Sequence, residues 1–388
     1  MPPVHLDNAA TSFPKPPAVA EAVRRWFDEL GVDAHRGTSA RNLEVQRGVD
    51  ALRLELGRLT GCAARHVVLG PGATFALNQF LLGFLRPGMR VATTDLEHNA
   101  LARPLAALAE EGRIELVMLG DCADEAGRLR PEAVAARLAD LPGLDLLALS
   151  HGSNVTGVVQ PLRALAPVAR AAGARILLDA AQTAGRLRLD DLDVDAIAVP
   201  GHKALMGPPG VGALCLRADL GLTPLVRGGT GSTRATTDMP AELPGRLECG
   251  TPNTPGLLGW LAGLRWVLAE DPAKLLAHEL ALVDRLRAAL APSLEAGRLR
   301  WLAAAPEDEE RLAVASLAPT GIEPHEAALV LEGEGFHVRV GYHCAPWIHA
   351  RLGTEGLGTL RVSPGPFTRD EDVDRFAAVL AELCAIGP

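Results

Sequence analysis

Two short apolar runs, each followed by a charged residue, constrain this chain most. Ile176-Leu177-Leu178-Asp179 has the unbroken apolar pattern of a strand buried on both faces, and it ends in an acid. Ala196-Ile197-Ala198-Val199 repeats the pattern and reaches Lys203 across Pro200-Gly201-His202. Strands buried on both faces belong to parallel sheets covered by helices, and such sheets collect ligands at the carboxyl ends of their strands. The spacing predicts an open α/β sheet with Asp179 and Lys203 close together at one edge. Val67-Val68-Leu69, Arg90-Val91-Ala92-Thr93 and Leu146-Leu147-Ala148-Leu149 read as further strands. They alternate with helices rich in Ala, Leu and Arg, the pattern of a mostly parallel sheet.

An acid ending a strand also suits a helix cap, and Gly-His-Lys also suits a turn with a solvated lysine. Taken together the two residues fit one cofactor, pyridoxal 5'-phosphate (PLP). The carboxylate can keep the pyridine nitrogen protonated while the lysine amine forms the covalent link. A phosphate needs donors as well, and Gly72-Ala73-Thr74 opens a helix directly after a strand. The N–H groups there and the Thr74 hydroxyl point at one anion.

Further segments complete a pattern: Leu6-Asp7-Asn8-Ala9-Ala10-Thr11-Ser12, Leu96-Glu97-His98-Asn99-Ala100, Ser150-His151-Gly152-Ser153-Asn154, and Gly341-Tyr342-His343-Cys344-Ala345-Pro346. With Asp179-Ala180-Ala181-Gln182 and Gly201-His202-Lys203, they resemble fold-type I PLP enzymes over nearly the whole chain. The likeness is specifically to the class V aminotransferase group, which contains cysteine desulfurases and selenocysteine lyases. The resemblance implies that His98 stacks on the pyridine ring and moves protons, and that Gln182 bonds the phenolic oxygen. It implies that Asn154 touches the ring and the substrate carboxylate, that Arg361 grips that carboxylate, and that the segment holding Ala9 passes close to both. The family usually has two adjacent hydroxyl residues where this chain has Ala73 and Thr74. Phosphate holding should therefore lean on Thr74, His202 and backbone groups. Thr251, in Glu248-Cys249-Gly250-Thr251-Pro252, matches a threonine that reaches the cofactor phosphate of the neighbouring subunit, which implies a homodimer.

The cofactor alone does not select the reaction. A nearby thiolate adds one option, attack on the sulfur of bound cysteine to leave alanine and an enzyme persulfide. Cys344 sits in a loop flanked by Gly, His and Pro, next to an imidazole, at the position resembling the desulfurase nucleophile. Cys62, Cys122, Cys215, Cys249 and Cys384 read as small buried hydrophobes. The expected activity is PLP-dependent desulfurization of L-cysteine, with a sulfur-acceptor protein as a partner. The alternative is a selenocysteine lyase or a C–S lyase on an S-substituted cysteine in specialised metabolism. The short connection from Cys344 to Arg361 resembles type II desulfurases and selenocysteine lyases more than type I enzymes. A catalytically idle protein of the same fold would lack the lysine or the aspartate, and both are here.

The net charge of −9 argues against nucleic acid or an anionic membrane surface as partner. No run of eighteen apolar residues occurs, and the chain enters the Leu6-Asp7-Asn8 motif at once, so a cytoplasmic enzyme is expected. Six scattered cysteines without CxxC spacing predict neither a disulfide framework nor a metal site. The large PLP-binding domain is expected over residues 17–255 and a smaller C-terminal α/β domain over 256–388, with residues 1–16 packing near it. Helices are expected around 257–268, 274–290 and 370–383, with strands at Leu312-Ala313-Val314-Ala315-Ser316 and His337-Val338-Arg339-Val340. Gly228-Gly229-Thr230-Gly231-Ser232 lacks the lysine of a P-loop and reads as a loop near the dimer interface. His35-Arg36-Gly37-Thr38 is a candidate for the substrate entrance, and Glu307-Asp308-Glu309-Glu310 reads as a solvated turn.

Overall fold

The computed structural model describes residues 3–34, 37–231, 237–305 and 310–386. His35, Arg36, Ser232 and the acidic residues 307–309 lie outside them. The strands, in chain order, are β1 (Val4–His5), β2 (Val67–Gly70), β3 (Met89–Thr93), β4 (Ile114–Met118), β5 (Leu146–Ser150), β6 (Arg175–Asp179) and β7 (Ala196–Pro200). They continue with β8 (Gly212–Leu216), β9 (Leu299–Leu302), β10 (Ala315–Pro319), β11 (Phe336–His337), β12 (Arg339–Gly341) and β13 (Thr359–Val362).

The main sheet has the order β2-β8-β7-β6-β5-β3-β4. Pairing is parallel from β4 through β3, β5 and β6 to β7, and β8 alone runs against its two neighbours. Alternation along β6 explains why its run is apolar throughout. Ile176 and Leu178 join one core cluster and Leu177 joins another, so helices cover both faces. Strand order reverses between β3 and β5, because the chain places β4 outside β3 and then crosses back. The crevice at their carboxyl ends is where an open α/β sheet offers a ligand site.

The second core is smaller. An antiparallel sheet of order β12-β13-β10-β9 packs with the helices Pro272–Ala289, Pro324–Gly333 and Asp370–Ile386. β1 pairs in parallel with β11, and Val4 and Leu6 lie in this second cluster. The helix Thr254–Glu270 begins near the boundary expected from sequence, but its Leu257, Trp260, Leu261 and Leu264 belong to the first core. By packing, the passage between cores falls at Asp271, which takes a left-handed φ of 71° and caps the next helix through Ala273 N at 3.0 Å. A buried pair, Arg186 with Glu279 at 2.7 Å, bridges the cores.

Two strand expectations shift. The run from Leu312 forms a strand only from Ala315, because Leu312 N bonds Gly157 O at 2.9 Å and its side chain sits beside Val159 and Val314. The run from His337 splits at Val338, with β11 paired to β1 and β12 paired to β13. No described helix is long and apolar enough to cross a membrane.

Candidate active site

A cavity of about 800 Å³ opens at the carboxyl ends of the parallel strands. Each wall comes from a different strand end. Asp179 ends β6, Lys203 follows β7, and His98 follows β3 at the start of the helix Asn99–Glu110. Ala73 and Thr74 form the first turn of the helix Ala73–Phe84, whose free N–H groups face the cavity. Gly72 lies against β8, where a side chain on Gly212 would meet its Cα at 2.5 Å. Only glycine permits that approach, which brings the helix start over the sheet edge.

The smaller core supplies the opposite wall with Arg361 from β13 and Cys344 from the loop after β12. Ala9, Asn154 and His202 also line the cavity. Ten of the residues singled out from sequence thus converge on one space. Two stand apart. Gln182 lines a smaller cavity of about 50 Å³ behind Lys203 and donates to Ala9 O at 3.0 Å. Thr251 is exposed and outside the cavity.

The electrostatics follow from burial. Asp179 is buried and its carboxyl is pushed upward by desolvation, against the bond from Ala181 N to Oδ1 at 2.9 Å. Desolvation, opposed by Asp179 and aided by Arg361 and Arg339, brings the Lys203 amine down to about 8. His98 falls to about 4, mainly through burial and then through the positive charge of Lys203, Arg339 and Arg361. Its Nδ1 accepts from Ala100 N at 3.0 Å, so the neutral ring carries its proton on Nε2. His98 is therefore both a helix cap and a cavity wall. His202 is likewise held neutral, at about 4, chiefly by burial.

Arg361 is 2% exposed, with Nη2 2.5 Å from Asp7 Oδ1 and Nη1 3.1 Å from Asn154 O. Its Nε has no partner among the described residues. Directly opposite, across the β12 and β13 ladder, stands Arg339. Like charges facing each other in a sheet repel, so the pair calls for an anion between them. Asp7 supplies part of it.

Cys344 is the exposed cysteine of the set; Cys249 is half-buried rather than buried, and Cys62, Cys122, Cys215 and Cys384 are buried as expected. The sequence placed an imidazole beside Cys344, but the His343 ring turns inward to Thr359 Oγ1 at 2.8 Å and is held far below its ordinary pKa, first by burial. The cation beside the sulfur is Arg339, with Nη2 3.9 Å from Sγ. His343 and Cys344 take consecutive left-handed φ values of 50° and 57°. Such backbone persists only where its surroundings hold it. Here Asn154 Nδ2 donates to His343 O and Asn99 N donates to Cys344 O, both at 2.7 Å.

Sequence reasoning gave no role to Asp7, Arg339 or Glu97. Glu97 is fully buried and receives Thr94 Oγ1 at 2.7 Å, Ser150 N at 2.7 Å and Ser150 Oγ at 2.8 Å. It ties the loop before His98 to the end of β5. The available signal was proximity: Asp7 and Glu97 lie inside the quoted motifs, and Arg339 lies five residues before Cys344.

The sequence pattern described as Aminotransferase class-V matches residues 4–376. The chain belongs to this family. This class-V chain is 32% identical over 96% of its length to a probable cysteine desulfurase of Mycobacterium leprae, covering 90% of that protein. A probable cysteine desulfurase of Pyrococcus abyssi is 29% identical, with 98% and 94% of the two chains covered. Among solved structures, the apo cysteine desulfurase of Thermococcus onnurineus superposes with a TM-score of 0.89 at 29% identity, covering 99% of this chain and 95% of the other. The cysteine desulfurase CsdA of Escherichia coli gives 0.87 at 26% identity, covering 100% and 96%. The fold is that of fold-type I enzymes.

Proposed function

We propose that this protein is a PLP-dependent cysteine desulfurase. One observation carries the reading: Lys203, Asp179, His98, Arg361 and Cys344 line a single cavity, in a chain whose relatives bear that name. The donor set fits the cofactor. A buried amine, a buried carboxyl and a helix start sit around one space of suitable size.

Bound PLP would supply an aldehyde carbon for an amine and a ring that draws electron density from the substrate's carbons. Lys203 provides the amine, and near pH 8 it gives or takes protons readily. Asp179 would hold a proton at the ring nitrogen. Thr74, the helix N–H groups beside Ala73, and His202 would hold the phosphate, with Thr251 of a second copy completing the site in a homodimer. His98 would present a neutral face to the ring, and Gln182, which donates to Ala9 O here, would hold the phenolic oxygen. Arg361, set by Asp7, receives the substrate carboxylate beside Asn154 and Ala9.

Cys344 Sγ takes up the sulfur. The Cβ–S bond of L-cysteine breaks, an S–S bond forms on Cys344, and protons delivered to carbon release L-alanine, so atoms and electrons balance without an external oxidant. A sulfur-acceptor protein in the cytoplasm would then unload the persulfide. The test is mass spectrometry of the Cys344 peptide after L-cysteine is added, with alanine and sulfide assays on Cys344→Ala. A +32 adduct on the wild-type peptide and loss of both products in the variant are expected. Undiminished products from Cys344→Ala would reject the mechanism and favour a lyase acting on selenocysteine or an S-substituted cysteine.

A further inference from the structure

The chain holds only three lysines, Lys15, Lys203 and Lys274, against thirty-five arginines. Where the sequence needs only a positive charge, it overwhelmingly uses arginine. A retained lysine therefore points to a need for a compact head with three donors rather than a planar fork. Lys203 has its reason in the cavity. Lys15 has one beside it.

Lys15 Nζ donates to His202 O and to Ser12 Oγ, each at 2.7 Å. Ser12 Oγ has one proton to give and lies 2.8 Å from Lys203 O and 3.1 Å from His202 O. Accepting from Lys15 leaves that proton for the nearer oxygen, Lys203 O. The His202 carbonyl also receives Ser12 N and Thr11 Oγ1, both at 3.1 Å. No carboxylate pairs with Lys15 among the described residues, and burial alone brings its amine down to about 8. A half-buried ammonium without an anion is costly to keep, so a carbonyl that holds it does so with good geometry.

We propose that Lys15 is a positioning residue for Lys203: with Ser12 it grips the His202 and Lys203 carbonyls and fixes the main chain from which the Lys203 side chain reaches the cavity. Behind this grip the chain turns sharply, with Met206 N on Lys203 O at 2.9 Å and Gly207 N on Gly201 O at 2.8 Å. Met206 takes a φ of 58°, a conformation that needs support from outside the turn. The role rests on Lys203 being the cofactor-linked lysine.

The test uses full-length Lys15→Met, Lys15→Arg and Ser12→Ala. In cofactor-free protein, hydrogen exchange at the Met206 and Gly207 amides should quicken in Lys15→Met while the β6 amides stay unchanged. With PLP bound, kcat on L-cysteine should fall about 10- to 100-fold, as a small misplacement of a reacting group does. KM should stay within about threefold, because substrate binding is left intact. Lys15→Arg should recover part of kcat, and Ser12→Ala added to Lys15→Met should cost less than Ser12→Ala does alone, because the two side chains share one network. Wild-type exchange and kcat in Lys15→Met would overturn the inference, as would full additivity of the two changes. Should Lys15→Met fail to fold, the same exchange measurement on Ser12→Ala decides. Lys203→Ala is the separating control. If it keeps turnover, the reading of Lys203 is wrong; if it loses turnover while Lys15→Met keeps it, only the role of Lys15 is wrong.

Discussion

Arg361 and Asp7, 354 residues apart in the chain, meet at 2.5 Å with both side chains buried. The pair joins the segment after β1 to the centre of the smaller sheet. Removing one member of a buried pair leaves the other uncompensated, which typically costs about 3–5 kcal/mol. Asp7→Ala should lower the unfolding free energy of the cofactor-free protein by that order, read from urea denaturation. A loss below about 1 kcal/mol would show that another anion serves Arg361.

Lys203→Ala should leave no cofactor covalently attached after borohydride reduction, whereas wild-type protein should carry the reduced cofactor on the Lys203 peptide. The basis is an amine at the end of β7 facing the Asp179 carboxyl across the cavity floor. Peptide mapping that finds the label on Lys15 or Lys274 would reassign the site.

Asp179→Asn should lower kcat by roughly a thousandfold or more, since an amide cannot hold the ring proton as a carboxylate does. Thermal unfolding should change little, because the one hydrogen bond seen at the carboxylate, from Ala181 N, can pass to the amide oxygen. Turnover near wild type with PLP bound would remove Asp179 from the mechanism.

Acid should destabilise the protein between about pH 6.5 and pH 4. His98, His151 and His202 are all held at about 4, below their ordinary 6.5, chiefly by burial. In that window the unfolded chain binds more protons than the native one, so stability rises with pH and falls on acidification. Glu97, pushed up to about 7 by burial, and Asp179, also pushed up by burial, act in the opposite sense, while His5, His343 and His349 are lowered too and add to the three. His151 is the cleanest probe, because it is buried, bonds Thr183 Oγ1 at 3.0 Å and lies outside the cavity. His151→Gln should flatten the urea midpoint against pH; an unchanged slope would place the acid sensitivity elsewhere.

How much of this was legible in the sequence depended on whether a residue's role is set locally. Asp179 and Lys203 follow apolar runs whose burial the pattern itself reveals, so strand, sheet edge and site could be read together. Ala73, Thr74 and His98 open helices directly after strands and were legible for the same reason. Arg339 was not, because its role depends on a register: the run from His337 breaks at Val338, and only the pairing of β12 with β13 sets Arg339 opposite Arg361. Asp7 and Arg361 find each other through tertiary packing that no local spacing encodes. The packing of the helix that begins beside the expected boundary was hidden for a related reason. The helix Thr254–Glu270 is apolar enough to suit either core, and only the position of Trp260 against the main sheet assigns it.

The pairing of β1 with β11 has a consequence for how the chain becomes a protein. Val4 is synthesised long before its partner Phe336, and at ribosomal speeds the wait is on the order of tens of seconds. In roughly the last third of that time the main sheet can close around its own core, since β2 through β8 are complete by Leu216. The segment from Leu6 to Lys15 then has neither its strand partner nor Arg361 to hold it. The cavity wall that carries Arg361 is thus completed late, when the segment after β1 meets β13.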